Sequence, residues 1–197
     1  MNIEIKKLTP ELLEDYLNFF DTTPHFTNKD EDKCYCVCWC NATYEEQEFS
    51  TAEKRRNKAI TYVKENNIQG YLAYYNNRVI GWCNANTKSD CMECQCGKMY
   101  LSLTNQVESS PNIKIKGVFC FTIAPEMRGK GVAKLLLKRV CEDAEKDGFD
   151  FVEAYPNKEF MSTEYDYMGP IKIYENLGFT TCYEIGPKLV MRKELTP

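Results

Sequence analysis

The sequence predicts an α/β fold, with a mixed central sheet of six or seven strands flanked by about four helices, in a single domain over residues 1–197. Three observations carry this expectation. An apolar, β-prone stretch at 117–124 runs through Arg128-Gly129-Lys130-Gly131 into a segment to residue 146 with Val132, Leu135, Leu136, Val140 and Ala144 at helical spacing. The same alternation then recurs, as a strand over 149–155, a helix around Tyr174 and a final strand. No repeat, low-complexity tract or linker divides the chain, and its length suits one domain with a real core.

The elements follow in order. Residues 2–7 alternate as a first strand. Thr9-Pro10 opens a helix, with Thr as N-cap and Pro in the first helical position. Its buried stripe is Leu12, Leu13, Tyr16, Leu17 and Phe20. Ser50 and Glu53 form a capping box for a second helix reaching about residue 66, with Ala59, Ile60 and Val63 inward and Gly70 after its end. Strands at 70–75 and 78–84 meet at Asn76-Asn77, a hairpin turn. Residues 87–112, with Pro111, read as irregular.

The corner at 128–131 carries chemistry. Glycines let backbone approach a ligand without Cβ interference, and the free N–H groups of a first helical turn attract an anion. Arg128 and Lys130 add positive charge. The corner therefore reads as a pyrophosphate site. The P-loop pattern is absent, and Lys134 occupies the last glycine position of the dinucleotide fingerprint.

Arg128, Gly131 and Ala133 fill the fixed positions of the acyl-CoA signature of the GNAT superfamily of N-acetyltransferases, which this corner resembles. Tyr174-Glu175-Asn176-Leu177-Gly178-Phe179 is similar to the family's closing helix and turn. The element order over 113–193 matches the family's C-terminal half, and the N-terminal half matches in outline. The resemblance implies a sheet splayed to admit CoA and acetyl transfer from acetyl-CoA, as co-substrate, to a primary amine by direct attack. It implies that backbone at Thr122, Ile123 and Ala124 binds the pantetheine arm. Arg128, Gly129, Lys130, Gly131, Val132 and Ala133 then hold the pyrophosphate, and Tyr174 protonates departing CoA. Glu153, on the strand beside the split, is the first choice of base. Seven residues before the Tyr the family often carries an Asn that contacts CoA; here that position is Tyr167.

The segments 26–50 and 155–168 are rich in aromatics and are expected to form the acceptor pocket, with Trp39, Tyr155, Tyr165 and Tyr167 as its walls. The net charge of −4 argues against nucleic acid and is compatible with a cationic amine. The N-terminus shows no signal-peptide apolar region, and no apolar run approaches the roughly 20 residues of a membrane span. A cytoplasmic location is expected; monomer and homodimer both stay open.

There are eleven cysteines and one histidine, His25. Cys34, Cys36, Cys38 and Cys40 form one cluster, and Cys91, Cys94 and Cys96 a second. Alternate residues of an extended strand lie about 6.7 Å apart, whereas two thiolates on one zinc sit about 4 Å apart. A straight strand therefore cannot wrap its cysteines around one metal; a bent segment, or ligands from both clusters, would be needed. The first cluster is expected to be a strand of small apolar side chains with no bound metal, while a zinc or redox site is the alternative. With the latter goes a second functional reading, a non-enzymatic acyl-CoA sensor with a cysteine switch. Cys120, Cys141 and Cys182 read as core fillers.

Overall fold

The computed structural model describes residues 1–23, 29–40, 49–101, 112–162 and 166–195. Seven strands form one sheet: β1 (Glu4–Lys7), β2 (Gly70–Tyr75), β3 (Arg78–Thr87), β4 (Ile115–Ile123), β5 (Phe151–Ala154), β6 (Thr180–Ile185) and β7 (Lys188–Glu194). Their order is β1-β2-β3-β4-β5-β7-β6. The β4–β5 pair is parallel and the other five pairs are antiparallel. The helices are α1 (Leu13–Thr22), α2 (Ala52–Lys64), α3 (Gln95–Tyr100), α4 (Val132–Lys146) and α5 (Ile171–Glu175).

The parallel pair positions the site. Its ladder runs from Ile115 opposite Phe151 to Val118 opposite Ala154. There β5 ends, while β4 continues to Ile123 still paired with β3. One edge of β4 is thus released from the ladder over 119–123, and the sheet opens. The β3–β4 register also slips between Asn84 and Ala85, leaving Phe119 as an extra residue.

Both faces of the sheet are covered. A Cβ on Gly81 would meet Ile123, Val132 and Leu136, so that face carries α4. The neighbouring Trp82 points the other way and meets Tyr16 of α1 edge-on at 4.9 Å.

Several local expectations are corrected. Residues 10–12 form a 3-10 turn before α1, and the Thr9 side chain makes no cap bond. Phe19 joins the α1 core, where Leu12 is only partly buried. The α2 cap is Thr51, whose hydroxyl accepts from the Lys54 N–H at 3.2 Å; Ser50 lies one residue outside. On α4, Leu137 is buried and Leu135 is 41% exposed, because the true stripe is Val132, Leu136, Leu137, Val140, Cys141 and Ala144. The strand from Arg78 reaches Thr87, and the stretch after it holds a 3-10 turn at Lys88–Cys91 and α3. Pro111 lies outside the described residues. Asn76 and Asn77 have φ of 50° and 60°, the left-handed pair that a two-residue hairpin turn requires.

Residues 34–40 do not form a strand. Tyr35 and Cys36 take φ of 46° and 52°, and Val37 and Trp39 donate back to the carbonyls of Cys34 and Cys36 at 3.2 and 3.3 Å. The segment coils against the sheet. The Tyr16 hydroxyl donates to the Tyr35 carbonyl at 2.5 Å, and the Asn84 amide donates to the Trp39 carbonyl at 2.8 Å.

Candidate functional site

The glycine corner has the conformation its sequence implies. Gly129 and Gly131 have φ of 72° and 80°, left-handed values that side chains resist. Gly131 is the N-cap of α4, and no side chain caps that terminus. The N–H groups of the first turn are therefore directed outward, with the positive end of a 15-residue helix behind them. Among the described residues, a Cβ at either glycine would meet nothing within 4 Å, so the space in front of both is open.

That space belongs to a cavity of about 420 Å³ running from the α4 terminus along β4. Of the expected cofactor-binding residues, Thr122, Ile123, Arg128, Gly129, Gly131, Val132 and Ala133 line it. Ala124 and Lys130 do not. The Ala124 N–H is used within the sheet, donating to the Ile80 carbonyl at 3.0 Å, and Lys130 is exposed to solvent. Lys134, which sequence reasoning used only to exclude a motif, lines the cavity instead.

Strand alternation decides which β4 backbone groups face the opening. Because Ala124 turns to β3, Ile123 and Phe121 turn to the released edge. The Phe121 N–H donates to the Tyr167 carbonyl at 2.6 Å. The Ile123 carbonyl accepts from Arg128 Nε at 3.3 Å, which ties the corner to the strand.

Tyr174 is fully buried on α5. Its hydroxyl donates to the Met168 carbonyl at 2.6 Å, and its ring meets Phe179 edge-on at 5.4 Å. Gly178, at φ 84°, turns the chain so that the Phe179 N–H returns to the Tyr174 carbonyl at 3.1 Å. Burial pushes the phenol well above its ordinary pKa, so the group holds its proton. Its neighbours Gly169, Pro170 and Ile173 line the cavity.

Glu153, the first choice of base, sits in the core. It is fully buried, and three groups hold it. Lys88 Nζ lies at 2.9 Å, and Arg192 Nε and the Tyr155 hydroxyl both donate to it. Arg192 is its direct cross-strand partner on β7. The carboxylate is absent from the cavity wall.

Two expected acceptor walls are also placed elsewhere. Trp39 is buried and stacks on Phe119 at 4.4 Å and 6°, and Phe119 stacks on Tyr155 at 5.9 Å and 2°. The three rings form an internal column, with Trp39 and Tyr155 inside the core. Gly117 makes room for it, since a Cβ there would sit 2.3 Å from the Phe119 ring. Tyr167 does line the cavity, 38% exposed, with its phenol pushed up to about 12, chiefly by burial. Tyr165 lies outside the described residues.

Sequence reasoning missed Asp166. Among the described residues it is the one carboxylate on the cavity wall, beside Phe121, Phe160 and Tyr167. It is buried, with the Met161 N–H donating at 2.6 Å and the Asn157 amide donating to its other oxygen. Each oxygen retains acceptor capacity. The signal available was an acid set between two tyrosines in an aromatic-rich loop.

The cavity is therefore basic at the α4 end, with Arg128 and Lys134, and acidic and aromatic at the other. The sequence profile of the acetyltransferase (GNAT) family matches residues 27–179. The chain belongs to the GNAT family. The match reaches well into the N-terminal half, where motifs were few, and stops before β6. GNAT acetyltransferases use acetyl-CoA, and the open terminus, left-handed glycines and Arg128 fit its pyrophosphate.

A search of curated protein sequences finds no match. Solved structures share the fold at low identity. The PaiA N-acetyltransferase of Thermoplasma acidophilum, bound to coenzyme A, has a TM-score of 0.53 at 18% identity, over 98% of this chain and 99% of that one. The ribosomal-protein-S5-alanine acetyltransferase of Vibrio fischeri gives 0.56 at 12%, over 100% and 97%. The polyamine N-acetyltransferase of Drosophila melanogaster gives 0.53 at 10%, over 97% of each. Among the described residues of this GNAT chain, no helix is long and apolar enough to cross a membrane, and no group of three or more His, Cys, Asp or Glu is placed to hold a metal.

Proposed function

We propose that this GNAT protein, acting as one unit over its 197 residues, transfers an acetyl group from acetyl-CoA to a primary amine by direct attack. The observation that carries the reading is the polarity of the cavity. The cationic corner suits a pyrophosphate, and the carboxylate and aromatic rings at the far end suit an ammonium group.

Arg128 and the first-turn amides of α4 hold the phosphates, and the released edge of β4 at Ile123 receives the pantetheine arm. A lysine-like amine is protonated at neutral pH, with a pKa of about 10.4, so it must lose a proton before attack. Asp166 takes the role first assigned to Glu153: it orients the ammonium and accepts that proton. Tyr167 and Phe160 flank the acceptor. Tyr174, held neutral by burial, turns its hydroxyl from Met168 to the departing sulfur and supplies the proton that the thiol requires.

The test is a panel of amines, from polyamines to peptide N-termini, incubated with acetyl-CoA and read by free CoA and by acceptor mass. Matched CoA release and acetylated amine support the reading. Tight acetyl-CoA binding without turnover on any amine would favour the sensor alternative. Tyr167→Ala is expected to raise the KM for the amine more than that for acetyl-CoA.

A further inference from the structure

The two cysteine clusters, far apart in sequence, meet in the fold. The Cys96 N–H donates to the Cys38 carbonyl at 3.2 Å, joining the coiled 34–40 segment to α3. That bond brings the backbones of the two residues side by side, as a disulfide requires, since it spans Cα atoms about 4.4–6.8 Å apart. The neighbouring Cys96 thiol, with burial, pushes the Cys38 thiol well above its ordinary pKa. Two other thiol pairs shift one another's pKa, Cys36 with Cys120 and Cys91 with Cys94. All four of those residues are buried, whereas Cys38 and Cys96 are both partly exposed.

We propose that Cys38 and Cys96 form a redox-active dithiol that closes to a disulfide by exchange with a low-molecular-weight disulfide. The chemistry balances without a metal or a bound cofactor. The Cys96 thiolate attacks one sulfur of the small disulfide, whose S–S bond breaks and releases one small thiol. The Cys38 sulfur then attacks Cys96 in the mixed disulfide and releases the second small thiol. The two cysteine protons end on the two released thiols.

Closure staples the 34–40 segment to α3 beside the acceptor end of the cavity. The dithiol rests on the main-chain bond that joins the two cysteine segments and stands whether or not an amine is the acceptor.

The test equilibrates the native protein in glutathione redox buffers, blocks free thiols and maps tryptic peptides without reduction. Cys38 and Cys96 fall on separate peptides, residues 34–54 and 89–98. The expected result is one crosslink between them, localised by fragmentation to Cys38 and Cys96 and reversed by dithiothreitol. Cys38→Ser and Cys96→Ser should each abolish it, and Cys91→Ser should leave it intact. No crosslink in the folded protein, a crosslink within one peptide, or one that survives in Cys38→Ser would overturn the proposal. The wild-type map decides alone if a serine variant fails to fold.

Discussion

The Phe121 N–H and the Tyr167 carbonyl, 2.6 Å apart, close the sheet where β5 gives out. β5 ends at Ala154, so the edge of β4 beyond it must find partners elsewhere or meet a ligand. Tyr167 satisfies one backbone donor and leaves Ile123 facing the cavity. The same segment places the Tyr167 ring on the cavity wall and the Met168 carbonyl on the Tyr174 hydroxyl. A short stretch of chain thus couples the opening of the sheet, the proposed acceptor wall and the proposed proton donor.

Tyr174→Phe separates catalysis from packing. The ring stays, and the hydroxyl and its bond to Met168 go. Stability should fall by about 1 kcal/mol, and turnover by roughly 10²–10⁴ with acetyl-CoA affinity nearly unchanged. Thermal melting and single-turnover kinetics read the two effects. The same loss of stability with turnover intact would leave Tyr174 a purely structural role.

Glu153→Gln should act on stability. Removing the carboxylate charge leaves Lys88, with 4% of its side chain exposed, and Arg192 without their buried counter-ion. Breaking such a pair costs about 3–5 kcal/mol. Adding Lys88→Met should recover part of the loss, measurable by urea denaturation of the single and double variants. Normal stability with abolished turnover would instead restore Glu153 as the base.

Lys116 gives a pH signature. The residue is 4% exposed, and its ammonium donates to Gln69 Oε1 at 3.3 Å and sits 4.9 Å over the Phe149 ring. Burial first, and the Lys7 charge second, lower its pKa from 10.5 to about 8. Between these values the unfolded chain keeps a proton that the folded chain has released, so this group's contribution to stability rises with pH across that window. Below about 8 both states are protonated and the cost of burying the charge is fully present. Lys116→Met should therefore stabilise the protein near neutral pH by about 1–3 kcal/mol, and the advantage should shrink towards pH 10.5. A variant destabilised equally at both ends would refute the assignment.

What the sequence disclosed depended on whether the deciding interaction was local. The glycine corner and the Asn76-Asn77 turn were legible because left-handed backbone favours those residue types. The α4 stripe was legible in period but not in phase. Leu135 and Leu137 differ only in which side of the stripe they flank, and packing on β2 and β3 selects Leu137. The 34–40 cluster alternates Cys with bulkier residues, as a strand would, yet its backbone turns at Tyr35 and Cys36, two residues with no glycine-like signal. Glu153 was misread because its partners lie 65 residues upstream, at Lys88, and on β7, a neighbour that no local pattern reveals. Asp166 was missed because its cavity exists only once its neighbour Tyr167 bonds to Phe121 of β4.

Acetyl-CoA is proposed to bind across the N-terminus of α4, and calorimetry on Gly131→Asn is the decisive measurement. Asparagine tolerates a φ near the observed 80° better than other side chains, so the fold should persist while the new side chain fills space that is open now. Titration of acetyl-CoA should give one site in the wild type and at least tenfold weaker affinity in the variant, a loss of about 1.4 kcal/mol, with the melting temperature little changed. Undiminished affinity in a folded Gly131→Asn protein would contradict the site.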